Sequence, residues 1–158
     1  MTEPSDTPPK VATAFLPFAP TPDRDSAPYW ESLAEGDFTL QHCDACGALR
    51  WPARALCNRC RSFDHTWRKV DGLGHIVSWV RTHQVFAPAL REAVPYVVVQ
   101  VALEAQSDIL LIGAWLANRE PRSNEPVEME IIEGVEGFHF PCWRPTTDLR
   151  LDRGNGAR

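Results

Sequence analysis

Cys43, Cys46, Cys57 and Cys60 fall in the pattern C-x2-C, ten residues, C-x2-C. Two residues between cysteines let the chain turn tightly, so that both sulfurs face one point while the backbone N–H groups that follow bond to them. Two such knuckles face to face make a tetrahedral set of four thiolates, which zinc satisfies at about 2.3 Å per bond. Iron accepts the same tetrahedral sulfurs, so the spacing leaves the metal as zinc or iron. Gly47 after the first pair suits the turn because it takes positive φ without strain. Arg61 and Ser62 follow the second pair instead. All four positions are filled by protein, whereas a catalytic zinc keeps one open for water or substrate. The expected role is therefore structural. His42 reads as a strand residue beside the site and not as a ligand. The plainer alternative for the cysteines is a group of unliganded or redox-active thiols.

Other chemistry is sparse. No G-x-S-x-G, P-loop or G-x-G-x-x-G occurs. His75 and His83 are eight apart on one expected strand, which puts them on one face as packing or surface residues. Cys142 lies in the apolar run 138–143 and reads as a buried, inert thiol. His139, three residues away on a strand, faces the other side. The carboxylates are scattered, with no pair placed for general acid and base work. No catalytic residue is expected, and the chain reads as no enzyme by itself.

The chain has 158 residues and a net charge of −5. Residues 43–70 carry six bases against two acids, whereas the segments on either side are acidic. A divalent ion in four thiolates leaves about −2, which offsets half of that local excess. What remains is a modest anion-friendly patch and not a polyanion-binding surface. No apolar run reaches the roughly 18 residues needed to span a bilayer. The polar, acidic residues 1–9 do not read as a secretory signal. A cytoplasmic protein is expected, where clustered cysteines point to metal and not to disulfides.

Around the cysteines the elements are short. Residues 1–24 are rich in proline and read as a disordered arm. Residues 25–37 read as a docking helix: Ser26 caps it, Pro28 fits its first turn and Gly36 ends it. Trp30, Leu33 and Ala34 form its apolar stripe, with Tyr29 off that stripe. Residues 38–66 form the zinc ribbon, entered by a strand from Phe38. Runs rich in β-branched and aromatic residues at 75–83, 96–103, 109–116, 128–133 and 138–143 predict five strands over a domain spanning 67–146. A hairpin loop is expected over 104–108, and a long mobile loop at 86–90. Residues 147–158 read as a flexible tail. The fold class is mainly β, with a short N-terminal helix, a ribbon and a small barrel or sandwich.

The order of these parts, and above all the stretch C-x2-C-G-x-L-x-x-x-P-x-R from Cys43 to Arg54 followed by Cys57-Asn-Arg-Cys60, resembles a family of small proteins. That family joins a rubredoxin-like zinc ribbon to a five-stranded OB-fold barrel and was long catalogued as a domain of unknown function. The resemblance runs over about residues 26–146. It implies a non-catalytic accessory subunit in a hetero-oligomer with a thiolase or a lipid-transfer-protein-type thiolase acting as an aldolase. Such a subunit helps form the acyl-CoA site of lipid or steroid metabolism. The family's second knuckle usually reads Cys-Pro-x-Cys-Gly; Asn58 and Arg61 stand here instead.

For that role, Tyr29, Trp30, Trp51, Arg54 and Phe86 are the candidate contacts with the partner or acyl-CoA, since aromatic anchors dominate interfaces. Core packing of ribbon against barrel is the plainer role for the aromatics. Arg50, Arg59 and Arg61 join Arg54 as candidates to meet CoA phosphates or an acidic partner; solvated surface is their plainer reading. A single-stranded nucleic-acid binder is the rival reading, because OB-folds serve that purpose, though the acidic stretch 125–136 would repel phosphates. A rubredoxin-like electron carrier is a third.

Overall fold

The computed structural model describes residues 18–146. The tail expected over 147–158 lies outside the described residues, as does the arm expected over 1–24 up to position 17.

Helix α1 runs from Ala27 to Ala34 with Pro28 in its first turn. Its C-terminus closes through Gly36 at φ +81°, where the Gly36 N–H reaches the Leu33 carbonyl and the Asp37 N–H reaches that of Ser32. Those two bonds satisfy carbonyls that the helix end would otherwise orphan. The N-terminus differs from expectation. The Ser26 hydroxyl donates to the Asp23 carboxylate and accepts from the Asp23 N–H, so it builds the preceding turn and caps nothing. The buried face differs too: Tyr29 and Leu33 are buried, Trp30 is half-buried and Ala34 is exposed. An i, i+4 pair faces the core, and Tyr29 is at its centre.

The ribbon sheet has three strands in the order β2-β1-β3: β1 (Thr39–Cys43), β2 (Leu49–Arg50) and β3 (His65–Lys69). Both neighbours run antiparallel to β1, which sets Gln41 opposite Arg50 on one side and Trp67 on the other. β3 carries His-Thr-Trp-Arg-Lys, with four of five residues exposed, so no alternation marks it in sequence. Pairing with the edge of β1 makes it a strand.

Five strands follow: β4 (Leu73–Thr82), β5 (Tyr96–Leu103), β6 (Leu110–Trp115), β7 (Pro126–Glu133) and β8 (His139–Pro145). They close a barrel in the order β4-β5-β6-β8-β7, with β6 and β8 parallel and every other pairing antiparallel. This is the OB-fold arrangement of a Greek-key barrel. Inward residues Ile76, Val99, Val101, Leu111, Val127 and Trp143 fill it, in one cluster with Tyr29 and Leu33 of α1 and Leu40 of β1. Helix, ribbon and barrel therefore share a core.

Two readings change, one of a strand and one of a loop. A bulge between Ile76 and Ser78 shifts the register of β4, and His83 lies beyond the strand's end, so His75 and His83 share no face. Residues 86–90 are not a free loop: a 3-10 turn at Pro88–Leu90 buries Leu90 against Ala93 and Tyr96. Among the described residues no helix is long and apolar enough to cross a membrane.

Candidate metal centre and apolar groove

β1 ends on Cys43, and the turn into β2 carries Cys46. Within that turn the Gly47 N–H donates to the Cys43 carbonyl at 2.8 Å and the Cys43 N–H to the Ala48 carbonyl at 2.8 Å. Cys57 and Cys60 repeat the arrangement: Arg61 N–H to Cys57 carbonyl and Cys57 N–H to Ser62 carbonyl, both at 2.9 Å. Gly47 has φ +74°, and its counterpart Arg61 has φ +64°.

The two turns bring all four sulfurs within 4.8 Å of one another. The Cys43 and Cys60 sulfurs are 3.5 Å apart, those of Cys46 and Cys57 3.8 Å. A tetrahedron with bonds of about 2.3 Å has edges of about 3.8 Å, so the four sulfurs fit one metal ion of that size. His42 is outside the set; its Nδ1 lies 3.7 Å from the Asp44 carboxylate. The charge balance fits a cation as well. The Cys43 thiol is lowered to about 5, first by Arg50, and Cys57 is lowered by the backbone N–H groups of Cys60 and Arg59. Cys60 is held at about 12: the Ser62 N–H lowers it, but the neighbouring sulfurs, Cys43 foremost, push it up. Four negative sulfurs cannot crowd one point by themselves, and a divalent ion removes that conflict by displacing the remaining protons.

Arg50 is the residue whose place sequence reasoning missed. It is 1% exposed, so it offers nothing to an external phosphate. Its Nη1 donates to the carbonyls of Arg54 and Ala55 at 3.4 and 3.3 Å, and its Nη2 to those of Ser62 and Asp64 at 3.3 and 2.9 Å. Gln41, opposite it in the sheet and equally buried, accepts the Arg54 N–H at 2.8 Å. Arg54 turns its guanidinium back onto the carbonyls of Trp51 and Pro52. From the barrel, the β5–β6 loop reaches the ribbon twice. The Gln106 amide exchanges two hydrogen bonds with the Leu49 backbone, and Asp108 pairs with Arg59 at 2.7 Å. Nothing in the local sequence around Gln106 marks that contact.

A second site lies on the outer face of β5, β6 and β8. Val98, Ile112 and Ala114 line an apolar groove of about 270 Å³ together with Trp30, Trp51 and Phe140. Tyr29 lies beneath, 2% exposed, its ring 5.1 Å from Trp30 and 4.6 Å from Trp51. Burial raises its hydroxyl above the usual tyrosine range. Trp30 stands edge-on to Phe138 and Phe140. The groove thus brings together three of the aromatic candidates, Tyr29 as its floor support and Trp30 and Trp51 as its walls. Phe86 is 70% exposed but does not line it. The apolar surface continues through Val80, 60% exposed and opposite Val98, and Ile112, 64% exposed. A signal for it existed: residues 109–112 read Ile-Leu-Leu-Ile, apolar at both parities in a strand whose barrel needs only one.

Residues 30–66 match the family model described as "ChsH2, rubredoxin-like zinc ribbon domain". Among solved structures, the chain is similar to the "Ltp2-ChsH2(DUF35) aldolase", with TM-score 0.72 and 29% identity over 80% of this chain and 98% of that one. A protein of the DUF35 family from Sulfolobus solfataricus shares the fold, with TM-score 0.53 and 12% identity over 77% of this chain and 85% of that one. A curated relative, the "Probable enoyl-CoA hydratase alpha subunit" of Thermomonospora curvata, is 29% identical over 126 residues. That match covers 80% of this chain and 39% of the relative, so the chain spans about two fifths of that protein's length.

Proposed function

From a ChsH2-type rubredoxin-like zinc ribbon at residues 30–66, packed on an OB barrel, we infer a non-catalytic accessory subunit. Its partner is a thiolase-like acyl-CoA enzyme, either a thiolase or a lipid-transfer-protein-type thiolase acting as an aldolase. The names of two relatives, an aldolase that joins Ltp2 to ChsH2 and an enoyl-CoA hydratase subunit, support the class of chemistry. The observation that carries the reading is the apolar groove with its continuation over Val80 and Ile112. An apolar sheet face of this kind in water calls for a protein or acyl chain to cover it. The chain works in the cytoplasm, and its four cysteines hold zinc, which organises the ribbon and takes no part in turnover.

Three features support a supporting role and not a catalytic one. The four sulfurs leave a tetrahedral ion no open position. Cys142 is buried, and desolvation pushes its thiol up to about 11, away from nucleophilic reactivity. The groove's lining is mostly apolar and holds no carboxylate, histidine, lysine or arginine; its two titratable groups, Tyr29 and Cys142, are both buried and held protonated by desolvation. That last point also weighs against a single-strand nucleic-acid binder, because the barrel face that would track a phosphate backbone has no lysine or arginine lining it.

The test is co-expression with a thiolase-like enzyme encoded beside this chain, followed by size exclusion and an acyl-CoA assay. Co-elution is expected, and Ile112→Lys should abolish it while leaving thermal unfolding unchanged. Failure to co-elute with every such enzyme would overturn the reading, as would acyl-CoA turnover by this polypeptide in isolation.

A further inference from the structure

The second cysteine pair has no strand to hold it. Residues 51–64 run between β2 and β3 without regular pairing, yet Cys57 and Cys60 must meet Cys43 and Cys46 to within a few tenths of an ångström. What spans the two halves is Arg50, anchored in β2 directly after the first knuckle. Its four carbonyl partners lie on both sides of the second pair: Arg54 and Ala55 before Cys57, Ser62 and Asp64 after Cys60. A planar guanidinium directs several N–H groups at once in fixed directions, which a lysine ammonium on a flexible stem does not. The charge is also placed oddly for a side chain 1% exposed, because among the described residues no carboxylate pairs with it. A buried, unpaired cation costs several kcal/mol. The compensation on offer is the cysteine cluster that its carbonyl partners bracket, where four thiolates around a divalent ion leave about −2. Its Nε is buried with no hydrogen-bond partner among the described residues, so the carbonyls do not account for the whole guanidinium.

We propose that Arg50 is the positioning residue of the metal centre: its guanidinium holds the second cysteine pair in ligating geometry and cancels part of the centre's net negative charge. The inference rests on metal binding by the four cysteines, and it adds a role to a residue that is no ligand. A divalent ion with four thiolates carries about −2, so one buried guanidinium halves it. Two effects follow. Losing the fork loosens the second knuckle and weakens metal binding. Losing the charge disfavours the more negative oxidation state of a redox-active ion placed in the same sulfurs. An iron centre goes from −1 to −2 on taking one electron, so removing the cation lowers its reduction potential.

Arg50→Met and Arg50→Lys in the full chain separate the two effects. Zinc affinity is read by competition with a chromophoric chelator, and the reduction potential by titrating iron-loaded protein with dithionite. Arg50→Met is expected to weaken zinc binding about 10- to 100-fold, the usual range for residues behind the ligands, and to lower the iron potential. Arg50→Lys should keep the potential near the parent value and still lose affinity, a split that general destabilisation would not produce. Zinc affinity and potential unchanged in both variants, with the parent binding one metal, would overturn the role of Arg50 alone. If Arg50→Met fails to fold, unchanged affinity in Arg50→Lys overturns the fork. A parent protein that binds no metal would overturn the metal reading itself.

Discussion

Residues 43–48 and 57–62 close with the same pair of backbone hydrogen bonds, and each contributes one buried and one exposed cysteine. Their supports differ. The first knuckle is the turn of a β hairpin: β1 leads into it and β2 leaves it, so sheet pairing fixes its ends. Its left-handed position belongs to Gly47, which adopts φ +74° at no cost. The second knuckle is flanked by irregular chain, and its left-handed position is filled by Arg61 at φ +64°. An L-residue there costs roughly 1–2 kcal/mol. Side chains supply what strands do not: the Arg50 fork from within and the Arg59–Asp108 pair from the barrel. One tetrahedral site is thus built from a half that the backbone holds by itself and a half that only tertiary contacts hold.

The largest test of that asymmetry is removal of the metal. After chelation, amide protons of residues 57–62 should lose their exchange protection entirely, while those of β1 and β2 around the first knuckle keep part of theirs. Equal loss in both knuckles would erase the distinction. Next in size is Gly47→Ala. Its Cβ would meet nothing nearer than His42 Nε2 at 3.9 Å, so the penalty is purely conformational. A loss of about 1–2 kcal/mol is expected in denaturant unfolding of the metal-bound protein. Arg61→Gly should do the reverse. Relief of the left-handed strain outweighs the added freedom of the unfolded chain, and a gain of about 0.5–1 kcal/mol is expected in the same measurement. If Arg61→Gly destabilises, the arginine side chain holds the knuckle in some way its backbone does not reveal. The smallest effect belongs to Asp108→Asn. The pair with Arg59 is exposed, so the melting temperature should fall slightly at low ionic strength and not at all at high salt.

Much of this was legible along the chain, for physical reasons that differ from part to part. A C-x2-C turn is local, so its residues declare both the candidate ligands and the geometry. Two pairs ten residues apart suffice to specify four sulfurs around one point. The barrel strands declared themselves through runs of valine, isoleucine and leucine, and the 96–103 run coincides with β5. β3 stayed hidden because His-Thr-Trp-Arg-Lys has no burial pattern of its own and becomes a strand only by pairing with β1. Tyr29 falls off the apolar stripe that helical spacing gives α1, and only the fold packs its ring against Phe38 and Trp51.

The sequence alone determined which four cysteines stand positioned for a metal, the short helix ahead of them and the mainly β architecture behind, because each rests on contacts between near neighbours or on periodicity within one element. Only the tertiary structure decided that Arg50 is buried among the carbonyls flanking the second cysteine pair, that the Gln106 amide joins ribbon to barrel, and that Val98 and Ile112 line one groove with Trp30 and Trp51. Those contacts bring together residues up to 82 positions apart in the chain. A guanidinium reads as surface charge until the chain folds over it, and a strand apolar on both faces does not reveal which face the barrel will leave uncovered.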